Sequence, residues 1–153
     1  MVDATLVTLA REVRGSTLMM LDGLSDHQAR FAALSNSILW HAGHALVVVE
    51  HLSVMPLTGG SAGYPPAYFA AFSWKSNPRG VTDWPAVAEV RGELQSQFDR
   101  LLAAMERATP EQLDAKDARS GRTVRWSVVH GLHDEARHQG EIWLLRKMLL
   151  RGA

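Results

Sequence analysis

Apolar residues recur at intervals of three and four along several segments of the chain, which is the spacing of a helix that buries one face. The first such segment covers roughly residues 3–22 and is followed by an Asp-Gly pair that suits a helix stop. Its apolar stripe comprises Leu6, Leu9, Ala10, Val13, Met20 and Leu21. Another segment begins near Thr82 or Asp83, either of which would cap it, and carries Pro85 in its first turn. Its stripe comprises Val87, Val90, Leu94, Phe98, Leu101 and Met105.

Two further segments predict helices with unusual patterns. The second helix runs from Ser35 or Asn36, either a fair cap, to Met55, after which Pro56 follows. It is apolar almost all the way round near His41 and His44, which indicates a helix enclosed by its neighbours. The fourth helix runs from about Thr123 to Leu150 and holds the stretch "HGLHDEARHQGE".

The connections complete the predicted architecture. Between the second and third helices lies a segment rich in Gly, Pro and aromatic residues, 56–81, which we call the crossover. Connections this long in compact domains are usually functional. Its "PPAYFAAF" predicts one or two helical turns, and "TPEQLD" at 109–114 predicts a short capped turn. No strand pattern is present, so residues 1–153 are predicted to form one all-α domain, a four-helix bundle with a long crossover between helices 2 and 3.

Composition narrows the possible partners. Lys and Arg together number 16, as do Asp and Glu, so there is no overall charge to attract nucleic acid or an anionic membrane. The absence of cysteine excludes disulfides, thiolate metal sites and a cysteine nucleophile, and is compatible with the cytoplasm. The N-terminal stretch has no signal-peptide pattern, and the apolar run Ile38–Val49 is too short to span a bilayer. We expect a cytoplasmic protein with a small-molecule substrate.

The histidines of the second helix are the first candidates for chemistry. A single buried histidine is most often bonded to a backbone carbonyl, but His41 and His44 share one face, and Gly43 permits close approach by another element. His51 lies near the predicted helix end, where a cation suits the dipole, so we interpret it as structural or surface. His27 occupies a polar turn and is interpreted as a surface residue.

The fourth helix carries a continuous polar sector. At about 100° per residue, the sector contains His130, His133, Asp134, Arg137, His138 and Glu141, while Val128, Leu132, Ala136 and Trp143 lie opposite. A solvated face is one interpretation, although such faces usually carry Lys and Glu rather than histidine. Asp134 and His138 are four residues apart and point the same way, so with a ligand from the second helix they would form an open metal site.

The motifs around these residues resemble the DinB-like superfamily. "ILWHAGHALVVVEHL" is similar to the family's second helix, in which a metal-binding His follows a Trp by four residues. "HDEARHQGEIWLLRKML" is similar to its last helix, and the aromatic crossover and the "WP" before the third helix also fit. The resemblance implies an up-down-down-up four-helix bundle, often a homodimer, with a divalent metal, zinc or nickel.

Carried onto this chain, the resemblance places the metal ligands at His44, Asp134 and His138. The family more often has His or Glu where Asp134 stands, and Asp is one methylene shorter than Glu. The metal then lies nearer the fourth helix, or binds more weakly, or is held by His130 instead. His41 is a further reserve ligand, and His41 and His133 are candidates for orienting ligands or water.

Three functional hypotheses remain. The resemblance implies a metal-dependent enzyme, either a transferase or isomerase that uses a low-molecular-weight thiol or a hydrolase, with Glu141, His133 and Arg137 as weak candidates for proton transfer and substrate binding. The second hypothesis is a bundle that holds a metal or small ligand without turnover. The third is a structural role, in which the histidines bond to one another and to the backbone.

Overall fold

The computed structural model describes residues 2–33 and 35–152, and almost all of their regular structure is helical. Within these ranges, β-type pairing is limited to one isolated antiparallel bridge between Lys116 and Thr123. The prediction of an all-α protein is therefore confirmed. The α-helices, in chain order, are α1 (Ala4–Leu21), α2 (Asp26–Ala29), α3 (Ile38–Val49), α4 (Met55–Thr58), α5 (Pro66–Phe72), α6 (Val87–Arg107), α7 (Pro110–Asp114) and α8 (Val124–Leu150).

Contacts among the long helices bring α3 and α8 side by side. Helix α1 packs on α6 and α8, and α3 packs on the same two helices. Paired residues follow the same order along α1 and α8: Asp3 with Arg125, Arg14 with Glu135, and Met20 with Arg146. They follow opposite orders along α8 and the helix formed by α3 with the π-helical turn after it, Glu50–Val54: His41 with His138, His44 with Asp134, and Ser53 with Val128. The candidate ligands of the two helices therefore lie at the same level.

The second predicted helix begins later and ends later than the sequence suggested. Its cap is Ser37, whose hydroxyl accepts a hydrogen bond from the Trp40 backbone N–H, rather than Ser35 or Asn36. It continues past Met55 because a π-helical turn, Glu50–Val54, separates α3 from α4. Pro56 thus falls in the first turn of α4, directly after the π-turn.

The third predicted helix also begins later than expected. Neither Thr82 nor Asp83 caps it, and Pro85 precedes it, because α6 starts at Val87. The Glu89 carboxylate accepts a hydrogen bond from the Ala86 N–H at 3.2 Å. Asp26 of α2 accepts one from the Val87 N–H at 2.8 Å, which satisfies a first-turn donor that has no partner within the helix.

Helix α3 is the centre of the core, and every one of its residues is buried. With the π-turn and α4 it forms a continuous helix over Ile38–Thr58, which by length and apolar composition could cross a membrane. The apolar run Ile38–Val49, predicted to be too short to span a bilayer, is the first part of this longer helix, which continues through the π-turn. However, 83% of its most apolar window is buried inside the protein, as in the core helix of a helical bundle.

A buried polar network that the apolar pattern did not indicate crosses the core. Arg14 and Glu135 are both 0% exposed and form a bidentate ion pair at 2.8 and 2.9 Å. Arg14 also donates to the Gln97 side chain, and Gln97 in turn donates to Glu50 at 2.6 Å. The Thr17 hydroxyl donates to Glu135 at 2.7 Å. These bonds connect α1, α6, α8 and the π-turn, and they fix the rotation of α8 about its axis.

The same network fixes one end of the crossover. Glu50 is completely buried and accepts hydrogen bonds from both terminal nitrogens of Arg100 and from the backbone N–H of Gly63. A Cβ at Gly63 would lie 2.6 Å from the Arg100 guanidinium, so a side chain there would displace the pair. The crossover is therefore attached to the π-turn where it leaves α4.

Candidate metal centre

His44, Asp134 and His138 meet between α3 and α8. Each offers one ligand atom, and the three atoms lie within 4.8 Å of one another. Asp134 Oδ2 is 3.8 Å from His44 Nε2 and 3.6 Å from His138 Nε2. Two ligands at tetrahedral zinc lie about 3.4 Å apart for bonds of about 2.1 Å, so these separations need only a small contraction to enclose an ion.

The ring of His44 is held from both sides by its neighbours. Its Nδ1 lies 2.7 Å from the Phe72 carbonyl oxygen, at the end of α5. Trp40, one turn earlier, stacks on it with 4.6 Å between ring centroids and an 18° interplanar angle. Phe72 approaches closely because position 43 is glycine: a Cβ there would lie 2.4 Å from the Phe72 ring. The sequence suggested that Gly43 permits a close approach, and the approaching residue is Phe72.

The unpaired atoms of the site are arranged as metal ligands require. A carbonyl oxygen only accepts hydrogen bonds, so His44 Nδ1 donates to Phe72, and the other ring nitrogen, Nε2, faces Asp134. Asp134 Oδ2 is buried and has no hydrogen-bond partner among the described residues. A carboxylate oxygen and imidazole lone pairs directed at one space repel each other, and a cation between them removes that repulsion.

His138 is oriented by His41. Their Nδ1 atoms are 2.8 Å apart, so one ring donates to the other. Burial, together with the nearby His138 and His44 rings, lowers the pKa of His41 to about 4. Burial and the His44 ring lower the pKa of His138 to about 4 as well. Both rings are therefore neutral at pH 7, and when His138 donates from Nδ1 its Nε2 is free to bind a metal.

These pKa values predict a pH dependence for the metal-free protein. Unfolded histidine titrates near pH 6.5, whereas His41 and His138 stay neutral in the fold down to about pH 4. Between these values the unfolded chain binds more protons, so the free energy of unfolding should fall as the pH falls. Chemical denaturation in EDTA at several pH values measures this slope. This slope should be shallower in the His41→Gln/His138→Gln variant. An equal slope would contradict the lowered pKa values of His41 and His138 in the folded protein.

The other polar residues of α8 lie outside this group. His130, His133, Arg137 and Glu141 are all exposed. His130 stacks on Trp126, with 4.6 Å between ring centroids, and is not brought to the ligand group. Arg137 is nearest, with Nη1 4.0 Å from Asp134 Oδ1 and a side chain that is 72% exposed.

Three placements outside the site can be compared with the sequence interpretation. His27 is exposed, as predicted. Trp143 was placed on the apolar side of the fourth helix but is 53% exposed, because α8 turns Glu135 rather than Trp143 toward the core. His51 does not lie at a helix end: it is in the π-turn, and burial lowers its pKa below the ordinary value. A cationic cap at that position is therefore disfavoured.

Sequence reasoning missed two groups that position the ligands. The backbone carbonyl of Phe72 carries no side-chain signal, and only the glycine at position 43 hinted that something packs there. Arg14 and Glu135 resembled ordinary charged residues of amphipathic helices. Glu135 follows Asp134 directly, so the buried ion pair determines where Asp134 points.

The fold and this group define an all-α protein with two histidines and one carboxylate arranged between helices as a possible metal site. The chain matches the family model of the DinB superfamily over residues 9–142, and it therefore belongs to that superfamily. No protein of curated function matches the sequence significantly.

Proposed function

We propose that the protein is a metal-dependent enzyme whose ion is held by His44, Asp134 and His138. The observation that carries the proposal is the buried Asp134 Oδ2, which has no hydrogen-bond partner among residues 2–33 and 35–152 and faces both His Nε2 atoms. We further propose that the chain is one domain with the up-down-down-up topology of the superfamily. The order of the α1–α8 and α3–α8 contacts supports that topology.

Zinc or nickel fits this donor set of two imidazoles and one carboxylate. An ion with open positions there would polarise a substrate oxygen or lower the pKa of a thiol. The chain's own contribution is orientation: the Phe72 carbonyl fixes His44, His41 fixes His138, and the Arg14–Glu135 pair fixes the helix that carries Asp134. Arg137, at the edge of the site, is placed to attract an anionic substrate.

Transfer or isomerisation with a low-molecular-weight thiol is the first candidate reaction, because the resemblance of the ligand motifs to the superfamily implies it. Hydrolysis is the second candidate, because it would use the same ion with water instead of a thiol as the nucleophile. A bundle that binds metal without turnover is the third, and it is motivated by aspartate at position 134.

The homodimer stays a prediction: Met19, Trp143 and Leu150 are exposed apolar residues that a second copy would bury.

Metal content tests the proposal directly. Protein purified without a histidine tag should contain, or take up from added zinc or nickel, about one ion per chain. His44→Ala and His138→Ala should each lose most of that ion, because two remaining ligands bind weakly. His130→Ala is the matched control on α8 and should keep it. Mass spectrometry of the metal and isothermal titration provide the measurements.

The chemistry needs a separate assay. Metal-loaded protein is mixed with glutathione, mycothiol or bacillithiol and an activated aryl halide, and thiol consumption is followed. Metal-dependent consumption that His138→Ala abolishes supports the transferase. Full metal loading without turnover of thiols or esters favours the binding bundle, and protein that refuses both ions contradicts the whole proposal.

A further inference from the structure

His51 lies on the same side of the second helix as His44, two turns further along. Seven residues at about 1.5 Å each separate the two histidines by roughly 10 Å along the helix axis. Val48 lies between them along the helix and is only 7% exposed, so the residue that separates the two rings is apolar and nearly buried. The metal ligands do not involve His51, so its position needs a separate explanation.

Three rings gather at this point, and we call them the ring cluster: His51, Phe69 and Trp74. The His51 centroid is 5.6 Å from those of Phe69 and Trp74, and Phe69 and Trp74 are 5.5 Å apart. Trp74 is 56% exposed, whereas Trp40, which supports His44, is only 9% exposed. Part of the Trp74 ring is therefore accessible and offers a flat apolar surface on which a ligand could stack.

The ring cluster also presents a free hydrogen-bond donor. Burial raises the pKa of Tyr64 to about 12, so its phenol keeps its proton. Among the described residues, His51 Nε2 at 2.8 Å is the acceptor within reach of this hydroxyl, so the hydroxyl donates to it. Neutral His51 then carries its own proton on Nδ1. That atom has no hydrogen-bond partner in the described part of the chain, and it is not among the buried unpaired atoms, so solvent or a ligand reaches it.

The cluster is held rigidly relative to the candidate metal site. Glu50 binds the Gly63 backbone N–H, which places Tyr64 against His51. Further along the crossover, the Phe72 carbonyl binds His44, and Trp74 follows two residues later. The crossover therefore contacts both histidines, and these two contacts hold Tyr64 and Trp74 in place beside the helix.

We propose that the ring cluster binds the non-reacting end of the substrate, a flat aromatic or conjugated group with a hydrogen-bond acceptor for His51 Nδ1. The substrate would extend roughly 10 Å from its metal-binding group, along Val48, to Trp74. This inference rests on the proposed metal site and adds a substrate class to it.

The test uses two probes with the same metal-binding head. Acetohydroxamic acid has the head alone, and 6-phenylhexanohydroxamic acid adds a terminal phenyl ring whose centre lies roughly 10 Å from the head when the chain is extended, about the span of seven helical residues. Both are titrated calorimetrically into zinc-loaded protein. The phenyl probe should bind about tenfold more tightly than the head alone, from stacking and burial of the ring. Trp74→Ala should remove most of this gain, and His51→Leu part of it, while acetohydroxamate binding stays unchanged.

Trp143→Ala is the matched control, because Trp143 is a similarly exposed tryptophan outside the cluster. Equal binding of both probes to the wild type, or an equal loss in Trp143→Ala and Trp74→Ala, overturns the inference and leaves the metal site standing. If acetohydroxamate fails to bind to protein exposed to zinc, the metal site and the inference both fail. Circular dichroism of each variant verifies that the helices are intact.

Discussion

Replacing Arg14 with methionine is expected to lower the free energy of unfolding by about 3–5 kcal/mol. Arg14 makes two hydrogen bonds to Glu135, one to Gln97 and one to the Leu94 carbonyl, all at 2.7–2.9 Å in the interior. Methionine fills similar space but leaves the Glu135 carboxylate buried without its counter-charge. Urea denaturation monitored by circular dichroism measures the loss.

The double variant Arg14→Met/Glu135→Leu separates charge from packing. Because both members of the pair are removed, neither leaves an unpaired charge buried in the core. Thr17 can still donate to the Val13 carbonyl. The double variant should therefore be more stable than Arg14→Met alone. If the free energy of unfolding of Arg14→Met lies within about 1 kcal/mol of the wild-type value, Arg14 and Glu135 do not form a buried ion pair.

Replacing Gly43 with alanine is expected to weaken metal binding by about tenfold to a hundredfold, although Gly43 touches no metal. The new Cβ would lie 2.4 Å from the Phe72 ring, so Phe72 must move, and its carbonyl oxygen is the partner that orients His44. The clash should also lower the free energy of unfolding by about 1–3 kcal/mol. Zinc titration and denaturation measure the two effects separately.

Two variants make this prediction specific. Gly140→Ala places the same methyl group on α8 two residues after His138, where nothing lies within 4 Å, and should leave metal binding unchanged. Gly43→Ala/Phe72→Leu replaces the obstructing ring with a smaller side chain and should recover part of the affinity. If Gly43→Ala binds zinc as the wild type does, the Phe72 carbonyl does not control His44.

The apolar spacing was sufficient to predict the all-α fold and the four long helices. It also placed His41 and His44 correctly inside, because a helix that is apolar on every side has no solvent-facing surface. The grouping of Asp134 and His138 with His44 was predicted from the four-residue spacing together with the family resemblance. The shorter aspartate comes within 3.8 Å of both His Nε2 atoms, so His130 is not required by the geometry.

The parts that could not be predicted depend on contacts between distant segments. Arg14 and Glu135 are 121 residues apart, and each looks like an exposed residue in its own helix. Their burial turns α8 so that Trp143 faces outward, contrary to the pattern-based assignment. Helix starts were misplaced because several polar residues near each start could cap it: Ser37 rather than Ser35 or Asn36 caps α3, whereas α6 begins after Ala86, which no polar pattern marks.

The π-turn at Glu50–Val54 has a consequence for sequence comparison. The Met55 backbone N–H donates to the Glu50 carbonyl, five residues back, so this stretch holds one residue more than an α-helix of the same rise. A relative whose second helix is regularly α-helical would align with this chain only through a one-residue gap inside the helix, not in a loop. Without that gap, every residue after the π-turn, including Pro56, would be matched to the wrong position.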